Sequence, residues 1–143
     1  MTQSKQVYKC SICGNIVEVL HPGAGALVCC GKPMELEIPK YKDDGAEKHL
    51  PVVEILPSDA GGAKGVKIKI GKIAHPMTAE HHIEWIEIIM VDSRSSRKFL
   101  NPDQLPETDF YTSKNIISIR AYCNIHGLWE IKIAPAEENN SIQ

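Results

Sequence analysis

The chain has 143 residues, 43% hydrophobic and 24% charged, with a formal net charge of −2. That balance leaves no basic footprint for nucleic acid or an anionic membrane surface, and no apolar run approaches the ~20 residues of a membrane-spanning helix. The length suits one ordinary domain, or a small one followed by a medium one. The opening residues Met-Thr-Gln-Ser-Lys-Gln lack the apolar core of a secretory signal. A cytoplasmic location is the expectation, and in a reducing compartment five cysteines read as metal ligands before disulfides.

Residues 7–38 read as a compact cysteine unit. A short strand over 6–10 enters Cys10-x2-Cys13-Gly14, and alternation about Glu18 makes residues 16–20 a second strand. His21-Pro-Gly-Ala-Gly25 is a turn, with His21 exposed and idle. Cys29-Cys30-Gly31 follows, then a last strand over 34–38. Some thirty residues bury too little apolar surface to fold alone, so such units need a metal or disulfides. Cys10, Cys13, Cys29 and Cys30 supply the four thiolates of a tetrahedral sulfur site. Zinc, iron and two disulfides all fit the spacing. Neighbouring side chains on an extended backbone point apart, so Cys29 and Cys30 reach one ion only through a tight local turn.

Residues 39–47 are charged and poor in apolar positions, which reads as a linker between a first domain, 1–38, and a second, 48–143. Beyond it the pattern is all-β. A strand over 50–56 is interrupted by Pro51, residues 57–65 form a loop, and 66–70 alternate cleanly as a half-buried strand. The apolar run 82–91 reads as a central strand, 94–112 as loop, and 116–122 and 128–133 as two further strands. Several short strands with polar turns and no helical periodicity indicate a β-sandwich. The tail from Pro135 is polar and expected to fray. Trp85, Trp129 and Tyr122 read as core.

Ligand-type residues recur through this second part: Glu47-Lys48-His49, His75-Pro76-Met77 with His81, and Cys123-Asn-Ile-His126-Gly127. A Cys-x2-His pair can bite one ion, and Gly127 gives its backbone room to turn. His82 directly follows His81, and neighbours on a strand face opposite ways. His81 shares parity with Ile83 and Trp85 and is the better candidate. Met77 reads as packing beside the site rather than as a thioether ligand.

Together these segments resemble desulfoferrodoxin, the two-iron form of superoxide reductase. Cys10-x2-Cys13 with Cys29-Cys30 looks like its desulforedoxin module, and the His49, His75/His81 and Cys123/His126 segments look like its superoxide reductase domain. The resemblance runs from about residue 5 to 134. It implies an all-β chain: a desulforedoxin-like metal-bound domain followed by an immunoglobulin-like sandwich, assembled as a homodimer. It implies one iron on Cys10, Cys13, Cys29 and Cys30. A second iron would lie on His49, His75, His81 and His126 with Cys123 as axial thiolate. The implied reaction joins superoxide, one electron and two protons into hydrogen peroxide, with a rubredoxin-like electron donor. Lys48 would attract the anion and Glu47 would ligate the ferric ion after product leaves. Two other readings stand beside this one. One is a non-catalytic iron electron carrier, and the other a zinc-stabilised β binding protein.

Overall fold

A computed structural model of the chain describes residues 1–42 and 45–133. The chain divides into two compact units, Met1–Ile38 and Pro39–Gln143. The expectation for the tail from Pro135 lies outside the described residues, as do residues 43 and 44 of the stretch read as a linker. Among the described residues no helix is long and apolar enough to cross a membrane.

The first unit is built of very short strands. β1 (Val7–Lys9) pairs antiparallel with β2 (Ile16–Glu18) on one side and β5 (Glu35–Leu36) on the other. Its buried apolar residues are few: Val7, Cys10 and Val19. Leu20, Val28 and Ile38 stay exposed, so apolar burial alone gives this unit little stability. β3 (Val28–Cys29) and β4 (Lys32–Pro33) form a hairpin in which Cys29 opposes Lys32. Its two-residue loop is Cys30-Gly31, with φ 53° and 72°. Positive φ at both central positions is the type I′ signature, the tight turn that brings adjacent cysteines to one side.

The second unit is a sandwich of a three-stranded and a four-stranded antiparallel sheet. It opens with a one-turn helix, α1 (Ala46–His49), and runs straight into β6 (Pro51–Leu56). Pro51 is the first residue of that strand rather than a break in it, a position where its missing N–H costs no ladder bond. β7 (Lys64–Ile70) lies between β6 and β10 (Glu107–Thr112). The other sheet runs β12 (Gly127–Lys132), β11 (Ile116–Cys123), β8 (Ile83–Met90), β9 (Ser95–Phe99). Ile68 and Ile70 from one sheet and Ile83, Ile86, Ile88 and Ile119 from the other share one core, each at most 1% exposed. Branched side chains suit a pleated surface, and burying each contributes about 1.5–3 kcal/mol.

β9 and β10 correct the reading of 94–112 as loop. Each is the edge strand of its sheet, and only Phe110 between them is fully buried. The apolar run of β8 conceals Glu87, which is fully buried. It sits between Arg97 on β9 and Arg120 on β11, its direct neighbours across the sheet, at 2.7 and 2.6 Å. Paired on both sides, that carboxylate is tolerated in the interior. The register between β8 and β11 slips by one between Tyr122 and Cys123. Such a bulge reverses the faces of the residues beyond it. Ile83 therefore joins the core, while Trp85 stacks on Tyr122 beneath the Arg97 guanidinium, which lies 4.4 Å from its ring. The shared parity of His81, Ile83 and Trp85 does not hold.

Candidate metal centres

The four cysteines of the first unit converge. All are free thiols, and their sulfurs lie within 4.8 Å of one another. Cys13 and Cys29 are 3.5 Å apart, Cys29 and Cys30 4.0 Å. A tetrahedral ion with sulfur at about 2.3 Å has edges of about 3.8 Å, so the spacing is that of ligands and not of disulfides. The N–H groups of Ile12 and Cys13 both point at the Cys10 sulfur, each at 3.4 Å. The bond from Cys13, then that from Ile12, lowers the Cys10 thiol to about 6. The sulfurs of Cys13, Cys29 and Cys10 push Cys30 up to about 12, and Cys29 is raised by Cys13 and Cys10. The Cys10 proton leaves readily, and those of Cys29 and Cys30 do not. A cation at the centre relieves that crowding, since coordination deprotonates thiols outright.

The second group assembles from four separate places. His49 ends α1, His75 lies in the irregular segment after β7, His81 precedes β8, and Cys123 closes β11. Their donor atoms lie within 4.8 Å of one another. His126 is not one of that group of four; it stands beside it, in the loop between β11 and β12, where Cys123 opposes Gly127. Gly127 has φ 80°, the left-handed residue that a three-residue hairpin loop requires. The imidazoles form a closed cycle. Ring centroids are 4.6 Å apart for His49–His75, 4.7 Å for His75–His81, 5.1 Å for His81–His126 and 4.9 Å for His126–His49. Cys123 is fully buried, with its sulfur 3.8 Å from Nδ1 of His126.

The hydrogen bonds fix where the lone pairs point. Nδ1 of His49 is 2.7 Å from the Gly45 carbonyl, and Nδ1 of His75 is 2.7 Å from that of Pro76. A carbonyl only accepts, so each Nδ1 carries the proton and donates it. In the neutral rings each Nε2 is then a bare acceptor, and these two nitrogens face each other at 3.1 Å. Burial, the largest influence in each case, keeps the rings neutral: it lowers His49 and His81 and takes His75 down to about 4. Two opposed lone pairs suit a cation held between them. Adjacent nitrogens on an ion at about 2.1 Å stand about 3.0 Å apart. Nε2 of His81 is likewise buried with no hydrogen-bond partner. Burial raises the Cys123 thiol, opposed by the N–H of His126, 3.4 Å away. Carbonyl-anchored imidazoles and a buried thiol beside them fit a transition-metal site.

The depressed histidines carry a stability consequence. A ring that is neutral when folded and titrates near 6.5 when unfolded takes up more protons in the unfolded chain between those values. The metal-free protein is expected to lose stability as pH falls from about 6.5 towards 4, the window set by His75. Urea melts across that range check this, and His75→Asn should flatten the dependence.

Other predicted site residues fall as follows. Glu47 and Lys48 are exposed on α1, immediately before His49. The Lys48 charge is among the influences that hold His81 down, after burial and the neighbouring histidines. His82 lies outside the donor cluster, and its N–H is held by the Asn124 side chain at 2.9 Å. Met77 packs on the core, where its sulfur accepts the N–H of Ile83 at 3.4 Å. His21 is exposed.

Three residues at the site were not singled out as parts of it from the sequence. Trp129, read as core, also lies flat on His49, with centroids 4.6 Å apart and planes 13° from parallel. Asn124 ties the Cys123 turn to the His81 segment, bonding the Glu80 carbonyl as well. Lys40, inside the stretch read as a linker, reaches the His126 carbonyl at 3.0 Å. Their partners are remote in sequence, and no local pattern announces them.

Comparison with known proteins follows the same division. The family described as "Desulfoferrodoxin, N-terminal domain" matches residues 2–36, and "Desulfoferrodoxin" matches 41–132. A desulfoferrodoxin homolog of Archaeoglobus fulgidus is 52% identical over 130 residues, covering 91% of this chain and 98% of that protein. One from Methanothermobacter thermautotrophicus is 50% identical over 130 residues, covering 90% and 99%. Among solved structures, the superoxide reductase from Treponema pallidum superposes with a TM-score of 0.69 at 27% identity, covering 92% of this chain and all of that one. The four-thiol and histidine–cysteine groups are consistent with two iron centres, and the chain belongs to the desulfoferrodoxin family.

Proposed function

We propose that the chain is a superoxide reductase. In this reading Cys10, Cys13, Cys29 and Cys30 hold one iron. The second lies within the ring of His49, His75, His81 and His126, with Cys123 as its thiolate. The observation that carries the reading is the closed cycle of four imidazoles, with bare Nε2 atoms opposed at 3.1 Å, beside one buried thiol. With four imidazoles and one thiolate as the protein donors, a bound iron would keep room for a small substrate, the mark of a reactive rather than structural site. A ferrous ion held there would supply the one electron that, with two protons, converts superoxide to hydrogen peroxide.

The chain's own groups have distinct tasks. The Gly45 and Pro76 carbonyls fix the tautomer and aim of His49 and His75. Cys123 would donate electron density to a bound metal, and the His126 N–H at its sulfur would moderate that donation. Trp129 covers the face of His49 and keeps water from it. Lys48 would give the substrate anion a cation to approach, and Glu47, exposed beside it on α1, would be the carboxylate available to a bound metal. A rubredoxin-like carrier as electron donor and pairing with a second copy complete the proposal.

Lys48→Ile tests the steering role. The second-order rate with pulse-generated superoxide should fall about tenfold, and its dependence on ionic strength should weaken. An unchanged rate with an unchanged salt slope would remove Lys48 from the mechanism.

A further inference from the structure

Lys40 lies outside the donor set, yet two backbone bonds tie it to β12 and one side-chain bond to the turn that carries two of the donors. Its backbone N–H bonds the Leu128 carbonyl at 2.8 Å, and its own carbonyl accepts the Glu130 N–H at 2.9 Å, a parallel bridge opposite Trp129. The backbone is thus laid along β12 as a short extra strand. From there the ammonium reaches the His126 carbonyl at 3.0 Å and stands 5.5 Å from the centre of the Trp129 ring. Trp129 in turn is stacked on His49. One side chain therefore touches the loop of His126 and the indole that backs His49.

We infer that Lys40 is a positioning residue for the second metal centre: it clamps the Cys123–His126 turn through the His126 carbonyl and sets a fixed positive charge on the turn that carries the thiol. This inference rests on the iron–thiolate reading above. A hydrogen bond to an ammonium is stronger than one between neutral groups, and it caps a carbonyl in a three-residue loop. The ammonium stands over the indole and bonds the carbonyl, so the charge is held in place rather than swinging in solvent.

The sign of the effect on iron follows from electrostatics. A fixed cation at the His126 carbonyl, in the turn that holds two of the donors, favours the ferrous state over the ferric, so removing it makes the iron easier to oxidise. Lys40 is exposed, and solvent screens its field. The expected change in the ferric-to-ferrous ratio at a given potential is about threefold, which at 59 mV per tenfold is about 28 mV.

The test is a redox titration of the two-iron protein, following the oxidised thiolate–iron band. Lys40→Gln keeps a hydrogen-bond donor without charge, Lys40→Met keeps only the stem, and Lys40→Arg keeps the charge. Lys42→Gln, on a neighbouring exposed lysine, is the control. The Gln and Met variants should both lower the midpoint, the Arg variant should restore it, and Lys42→Gln should leave it alone. The gap should narrow as salt is raised, which loss of packing alone would not produce. Unshifted midpoints in the Gln and Met variants would overturn the inference. So would an Arg variant that falls as far as Gln, since the role would then be shape and not charge. Wild-type protein lacking the band would bring down the iron–thiolate reading, and this inference with it. A normal wild type with unshifted variants brings down Lys40 alone.

Discussion

Replacing Cys123 with serine is expected to abolish the long-wavelength band of the oxidised second centre and to slow reaction with superoxide by more than about 100-fold. Changes to groups that merely support a ligand cost 10–100-fold, and Cys123 is the only thiol in its cluster. Its sulfur is fully buried and lies within 4.8 Å of the donor atoms of His49, His75 and His81. A serine hydroxyl is a harder donor that stays protonated in that buried position, so it cannot push electron density as a thiolate does. The four-thiol centre draws its ligands from the other unit, so its absorbance should persist and serve as an internal standard. Stopped-flow spectra with pulsed superoxide give both quantities. A variant that keeps its rate to within about threefold would show that the thiolate takes no part.

Gly71→Ala should destabilise the second unit by about 3 kcal/mol and release its iron, while the first centre remains loaded. Gly71 has φ 88°, and a Cβ there would stand 2.3 Å from the Ile73 carbonyl oxygen and 2.7 Å from that of Lys48. Both obstacles are backbone, so no side chain can swing aside. The approach is close because the turn is stitched to α1. Gly71 N–H bonds the Leu50 carbonyl and Ile73 N–H bonds that of Glu47, each at 3.0 Å. His49 belongs to one side of this seam, and His75, whose N–H bonds the Ile70 carbonyl, follows the other. Forcing the sides apart separates the two nitrogens that must share an ion. Urea melts and iron content read the outcome. Gly71→Asn, which tolerates positive φ but still carries a Cβ, should be nearly as damaging. Wild-type stability in both variants would mean the seam is not tight.

Local chemistry made much of this legible. Sulfur spacing exposed the first centre because four thiols in thirty residues have few other uses, and the Cys-x2-His turn with its glycine marked the second. Strands whose side chains alternate into the core, such as β7, showed their period. β9 and β10 did not. As edge strands they bury little, so Ser-Ser-Arg-Lys-Phe and Glu-Thr-Asp-Phe-Tyr-Thr carry mostly polar residues and read as loop. The parity that linked His81 to Trp85 was undone by a bulge, a one-residue event that depends on pairing with β11 and leaves no mark on β8 itself. His81 nonetheless reaches the cluster, held by reciprocal bonds with Thr78. Lys40 was hidden for a different reason. A lysine among charged residues resembles solvated chain, and only the fold brings it to a carbonyl 86 positions away.

The central claim is a thiolate-ligated ferrous site that reacts with superoxide, and metal content read with the visible spectrum before and after mild oxidation tests it most directly. The account predicts two irons per chain, one for each donor cluster, and a new long-wavelength band when the second is oxidised. A single zinc and no oxidisable band, in protein produced with ample iron, would contradict it and leave a zinc-stapled β protein.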